Sequence, residues 1–128
     1  MVTAITNGIK ISVETQYRVQ EKSRADLPHL FSYRISIENN SSKTCTLLRR
    51  HWIIFDSLGT HDEVEGAGVI GEQPTIPPGG TYEYESFCRL ISEFGTMKGS
   101  YLMRWEPEGL KFNVNIPEFN LISPFRLN

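Results

Sequence analysis

The 128-residue chain has no run of the roughly 18 apolar residues that a bilayer-crossing helix needs. Its start, Met1-Val2-Thr3-Ala4-Ile5-Thr6-Asn7-Gly8, has neither the basic cluster nor the apolar stretch of a secretory leader. A cytoplasmic protein with no membrane partner is expected. Cysteine is scarce: Cys45 and Cys88 are the only two, and in a reducing compartment two distant thiols read as packed core residues, not as a bridge or half a metal site. An excess of basic charge is missing too, since the formal net charge is −2. No global field therefore draws the chain to nucleic acid, whose affinity rests on phosphate contacts. Arg49, Arg50 and Trp52 do not change this, because two arginines at successive strand positions point to opposite faces.

Catalytic signatures are also lacking. No Gly-x-Ser-x-Gly occurs, and no serine is paired with a histidine by any spacing that marks a nucleophile. Neither an enzyme nor a cofactor is expected. Helical periodicity is missing as well, with Leu90-Ile91-Ser92-Glu93-Phe94 able to form at most a turn before Gly95.

Alternation with a period of two is abundant, which is the mark of strands with one buried face. Phe31, Tyr33, Ile35 and Ile37 alternate with Ser32, Arg34, Ser36 and Glu38. Ile9, Ile11 and Val13 do the same near the start, with Tyr17 and Val19 as an extension. Tyr82 and Tyr84 alternate with glutamates. Tyr101, Met103 and Trp105 are followed by Glu106-Pro107-Glu108-Gly109 and then by Leu110, Phe112, Val114 and Ile116, predicting a hairpin that Pro117 ends because it brings no N–H. Trp52-Ile53-Ile54-Phe55 is apolar on both faces, as in a central strand, with Arg49, Arg50 and Asp56 flanking it as guards against aggregation. The apolar stretch from Phe119 to Phe125 is expected to dock on the body or on a neighbouring subunit, which keeps a homodimer in view. These elements predict one all-β domain over residues 1–128: an immunoglobulin/fibronectin type III-like β-sandwich of about seven antiparallel strands, with a small barrel as the alternative.

The segment Gly66-Ala67-Gly68-Val69-Ile70-Gly71-Glu72-Gln73-Pro74 has the glycine spacing of a dinucleotide loop. In such a loop a helix follows and its free N–H groups hold the pyrophosphate. Here Pro74, Pro77 and Pro78 forbid that helix. Asp62, Glu63, Glu65 and Glu72 surround the loop, and no lysine or arginine lies between Gly59 and Gly80 to offset a polyphosphate. The glycines are therefore read first as backbone geometry. A partner-binding loop formed by Gly66, Gly68, Gly71, Gln73 and Pro74 comes second, and a phosphate site using the same residues third.

His61-Asp62-Glu63 with Glu65 offers metal-ligand types, but neighbouring side chains on an extended run diverge, and a solvated acidic loop is the expected state. No metal site is expected. His29 shows no partner in sequence, and His51, inside an apolar strand, reads as a hydrogen-bonded structural residue.

The spaced motifs Tyr33-x-Ile35-x-Ile37-x-Asn39, Leu48-x-Arg50-x-Trp52, Gly66-x-Gly68-Val69-x-Gly71-x-Gln73-Pro74, Pro78-Gly79, Tyr82-x-Tyr84-x-Ser86 and Gly95-Thr96-Met97-x-Gly99-x-Tyr101 together resemble the bacterial ApaG family. The likeness continues through Ile116-Pro117-x-Phe119-x-Leu121. It implies a fibronectin-type sandwich, with related domains attached to certain F-box proteins and to a polymerase-delta-interacting protein, where protein binding is the presumed role. For free-standing bacterial members it implies a link to cobalt resistance and magnesium efflux, and a genetic neighbourhood with a dinucleoside tetraphosphate hydrolase. Ala67 departs from the acidic residues common between the first two glycines of the family, which weakens any role for a carboxylate there. The reading that emerges is a non-enzymatic protein-interaction module with an unidentified protein partner. The alternatives are nucleotide-polyphosphate binding or hydrolysis through the Gly66-x-Gly68-x-x-Gly71 loop, and a divalent-cation sensor using Asp62 and Glu63.

Overall fold

A computed structural model describes residues 1–18 and 26–127. Nine strands are present among them: β1 (Val2–Thr6), β2 (Ile9–Arg18), β3 (His29–Asn39), β4 (Cys45–Asp56), β5 (His61–Ala67), β6 (Thr75–Ile76), β7 (Thr81–Leu90), β8 (Phe94–Trp105) and β9 (Lys111–Ile122). One sheet has the order β1-β2-β3-β7, the other β5-β4-β8-β9 with the short β6 also on β4, and every pairing is antiparallel. The two sheets face each other across one apolar core, so the expected β-sandwich is present.

The alternating residues build that core. Ile9, Ile11 and Val13 of β2 and Phe31, Tyr33, Ile35 and Ile37 of β3 are buried from one sheet. Leu47, Trp52, Met97, Tyr101, Met103, Val114 and Ile116 are buried from the other. The hydroxyls of Tyr84 on β7 and Tyr101 on β8 meet at 2.5 Å in the interior, a polar link between the two sheets. Both cysteines are buried and free, and burial pushes Cys45 up to about 11 and Cys88 up to about 12, so neither is a thiolate near neutral pH.

Three details differ from the sequence reading. There are more than seven strands, because Val2–Thr6 pairs with β2 through a turn at Asn7-Gly8, both with positive φ, and because His61–Ala67 is an edge strand and not an acidic loop. All of β5 except Gly66 is exposed, so it has no buried face to betray it, and its carboxylates suit a strand edge that must stay soluble. Pro117 does not end β9. The β8–β9 register slips between Met97↔Phe119 and Gly99↔Ile116, so the proline sits at an irregularity where no ladder N–H is required, and the strand continues to Ile122. Phe119 and Leu121 thus enter this chain's own core, and Phe125 places its ring 5.9 Å from that of Tyr17. Val19, expected to extend β2, lies outside the described residues.

Two polar clamps lock the ends of β4. Before its start, the fully buried Asn39 donates from Nδ2 to the carbonyls of Lys43 and Ile76 and accepts at Oδ1 from the N–H and hydroxyl of Ser41. Its main chain is bonded to Gly79 and Gly80, so one side chain ties together the β3–β4 and β6–β7 crossovers between the sheets. At the other end Asp56, 5% exposed, accepts from the N–H groups of Leu58, Ile91 and Ser92 and from the Ser92 hydroxyl. It joins the β4–β5 turn to the β7–β8 turn. Asp56 is therefore not a solvent-facing guard. Burial works to raise its pKa, but the Ser92 hydroxyl and the three N–H donors outweigh that and hold the carboxyl below its ordinary value.

Candidate functional site

A bulge in β4 sets up the site. The β4–β8 register slips between Leu47 and Arg49, so Leu47 and Arg50, three residues apart, both face inward, while Arg49, His51 and Ile53 face out. On the outer face Arg49 lies 3.6 Å from Glu65, and His51 Nε2 meets Glu63 at 2.5 Å, which gives His51 the structural partner expected of it. His29 also has a partner, its Nδ1 lying 3.1 Å from the Tyr17 hydroxyl.

The glycine segment is folded over this bulge. The Gly68 N–H donates to the carbonyl of Leu48, the bulged residue, and Gln73 Nε2 donates to the same oxygen at 2.9 Å. Val69 and Glu72 exchange N–H···O bonds in both directions around Ile70 and Gly71, which have φ of 42° and 80°. That pair of positive angles makes a tight type I′-like reversal. The Leu47 N–H donates to the Pro74 carbonyl, bringing the chain back into line for β6. No helix follows Gly71; the next element is the strand pair at Thr75–Ile76. Gly68 has φ of 63°, and a Cβ there would lie 2.1 Å from the Glu72 carbonyl oxygen, so only glycine fits.

Gly66 is glycine for a different reason. Its φ is ordinary, but a Cβ would meet the Arg50 guanidinium at 3.0 to 3.2 Å. The guanidinium lies flat against the Gly66 main chain, and its Nη1 donates to the carbonyls of Ala67 at 3.0 Å and Gly68 at 3.1 Å. The loop therefore turns carbonyl oxygens toward a cation, the opposite polarity to a phosphate cradle, while the N–H groups of Gly68, Val69 and Glu72 are spent within the protein. All five sequence-predicted site residues lie in this one segment. Gly66, Gly68, Gly71 and Gln73 each have a conformational, steric or hydrogen-bonding task there, and the Pro74 carbonyl receives Leu47. The acidic residues do not converge: Asp62, opposite Ile54, faces inward and Glu63 outward, and among the described residues no three His, Cys, Asp or Glu side chains come together as a metal site.

Arg50 leads to a feature the sequence did not reveal. On one side of the sandwich β9 packs across β1 and β2, and the Asn115 N–H reaches Thr6 Oγ1 at 3.3 Å. On the opposite side, between edge strands β7 and β5, the sheets part to leave a cleft of about 410 Å3. Tyr33, Ser86, Phe87 and Cys88 form one wall. Arg50, Trp52, Ile54 and Val64 form the other, with Met97 at the floor and Leu27 and Arg89 at the rim. Phe87 is 57% and Val64 39% exposed at its mouth. Burial raises the Tyr33 hydroxyl, which Ser86 and the positive charge of Arg50 partly counter. The signal in sequence was only the pairing of Leu48-x-Arg50-x-Trp52 with Tyr82-x-Tyr84-x-Ser86, and the bulge hid which face Arg50 occupies.

Comparison with known proteins agrees with this architecture. The sequence profile described as the ApaG domain matches residues 18–105. Protein ApaG of Brucella suis biovar 1 (strain 1330) is 41% identical over 124 residues, 97% of this chain and 95% of its own length. Protein ApaG of Sinorhizobium fredii is 45% identical over the same shares. The crystal structure of an ApaA protein from Bordetella pertussis superposes with a TM-score of 0.83 at 40% identity, covering 91% of this chain and 94% of that one. With the ApaG domain matched over residues 18–105 and relatives at 41% and 45% identity over 97% of its length, the chain belongs to the ApaG family.

Proposed function

We propose that this protein is a non-enzymatic interaction module whose partner docks at the open side of the sandwich, along the edges of β7 and β5. The observation that carries the reading is the asymmetry of the two sides: one is closed by β9 on β1 and β2, while the other leaves a cleft between β7 and β5, two strand edges unpaired among the described residues, with Phe87 and Val64 exposed at its mouth. A free edge offers main-chain donors and acceptors to an added strand, and the adjoining cleft offers selectivity through side chains. The glycine loop contributes by holding the β5 edge in place over the β4 bulge.

Nucleotide-polyphosphate binding through the loop is less favoured, since its carbonyls are what converge on a cation. Affinity capture with the wild-type chain against Val64→Glu and Phe87→Glu variants tests the docking side. Both positions are exposed, so the variants are expected to keep the wild-type circular dichroism. A partner retained by wild type and lost with both variants supports the reading; a partner retained equally by all three overturns it.

A further inference from the structure

We infer that the cleft is a receptor for a chain terminus: the free C-terminal carboxylate of a partner polypeptide, with an apolar last side chain, seats against Arg50. The inference rests on the docking side proposed above and adds what is recognised there. Its first support is the state of Arg50. Nη1 is committed to the Ala67 and Gly68 carbonyls, which fixes the plane of the guanidinium, and Gly66 clears space for it. Nε and Nη2, the two nitrogens of the side-on edge, have no protein acceptor among the described residues, and no carboxylate there forms an ion pair with Arg50. A half-buried guanidinium already oriented and still holding two parallel donors is built for a planar, bidentate anion.

Its second support is the surrounding chemistry. The cleft beside Arg50 is walled by Trp52, Ile54, Val64, Phe87 and Met97, so the anion must arrive attached to an apolar group. A volume of about 410 Å3 accommodates one large side chain with its carboxylate, toward the lower end of the roughly 300–1,000 Å3 typical of ligand sites. Charge limits the anion further. Arg50 and Arg89 border the cleft, while Asp62 faces the same side and its charge acts on Cys88. This balance suits a single negative charge and disfavours a polyphosphate. Finally, the cleft borders β7 at Ser86 to Arg89, and β7 pairs only with β3 among the described residues. A peptide extending away from its terminus finds main-chain partners there, which a small free acid leaves unused.

The test uses the intact wild-type chain and an N-acetylated pentapeptide of alternating valine and threonine ending in leucine. It is prepared with a free C-terminal carboxylate and, separately, as the C-terminal amide, with phenylacetate as the small-acid probe. Trp52, in the cleft wall, reports by fluorescence, and the amide resonances of Ser86 and Cys88 report by NMR. The expected result is saturable binding of the acid peptide at least tenfold tighter than its amide, with phenylacetate weaker than either. Val64→Asp, which sets a carboxylate in the cleft wall and leaves Arg50 and its loop in place, is expected to weaken both peptides, the acid peptide by a larger factor than the amide. Equal binding of acid and amide would overturn terminus recognition while leaving the docking side intact. Phenylacetate binding as tightly as the acid peptide would overturn the polypeptide as occupant. No binding by any probe would overturn the inference, and the Val64→Glu and Phe87→Glu comparison would still judge the docking side separately.

Discussion

Gly68 and Asp56 show how single residues carry constraints that no contact tally would single out. At Gly68 a methyl group meets two obstacles at once, a φ of 63° and the Glu72 carbonyl 2.1 Å from its Cβ. The first alone costs about 1 kcal/mol, and the second forces the Val69–Glu72 reversal to open. Gly68→Ala is expected to lose more than about 1 kcal/mol in urea unfolding; a variant with the wild-type midpoint would remove the conformational account. Asp56 makes a pH prediction. Its folded pKa lies below the value of about 3.9 expected in the unfolded chain, so its stabilisation is complete above that value and is lost as pH falls through the folded pKa. Asp56→Asn keeps the shape but loses the charge that three N–H groups and a hydroxyl address, at a cost of about 2 kcal/mol near neutral pH. The gap between wild type and variant in urea midpoints is expected to stay level from pH 7 to 5 and to shrink below about pH 4. A gap unchanged at pH 3 would contradict the assignment. The Asp56 clamp was not visible in sequence: next to Trp52–Phe55 the residue looks like a polar strand end, and three of its four donors lie 35 or 36 positions away.

Among the elements, the two sheets are linked through their apolar faces and also by one buried hydroxyl pair, Tyr84 on β7 with Tyr101 on β8. Burial raises both pKa values, so the pair stays neutral and one hydroxyl donates to the other. Tyr101→Phe removes the partner of a buried hydroxyl, and Tyr84→Phe does the same in reverse, each costing about 1–2 kcal/mol. The double variant is expected to cost clearly less than the sum of the two, because neither orphan remains. Strict additivity in a thermal or urea double-mutant cycle would show that the pair does not couple the sheets.

The elements also show where sequence reading succeeds. Strands β2, β3, β4, β7, β8 and β9 bury alternate or nearly all apolar positions, and that periodicity is legible without coordinates. Strand β5 was not legible, because an exposed edge carries no apolar period; and β9 beyond Pro117 was not, because a register slip makes room for proline. The inward turn of Arg50 depends on one extra residue in β4, which shifts the phase of alternation without leaving a compositional trace. So the glycine segment could be recognised as backbone geometry from its prolines and carboxylates, while its service to Arg50 could not.

For the molecule as a whole, the glycine pattern, the β4 bulge and Arg50 form one device. The loop crosses the bulge, its Gly68, Val69 and Glu72 amides are satisfied internally, and its Ala67 and Gly68 carbonyls position a guanidinium at the open side of the sandwich. The pattern that resembles a dinucleotide loop in sequence is, in three dimensions, a brace for a strand edge. That edge and the cleft behind it are where the proposed partner would dock, opposite the side that β9 closes on β1 and β2.

The most direct test of this account is an amide NMR titration of the 15N-labelled chain with a dinucleoside tetraphosphate, following Gly66, Gly68, Val69, Gly71 and Glu72. The internal bonds predict that these resonances stay where they are up to millimolar ligand. Saturable shifts confined to this segment at micromolar ligand would contradict it.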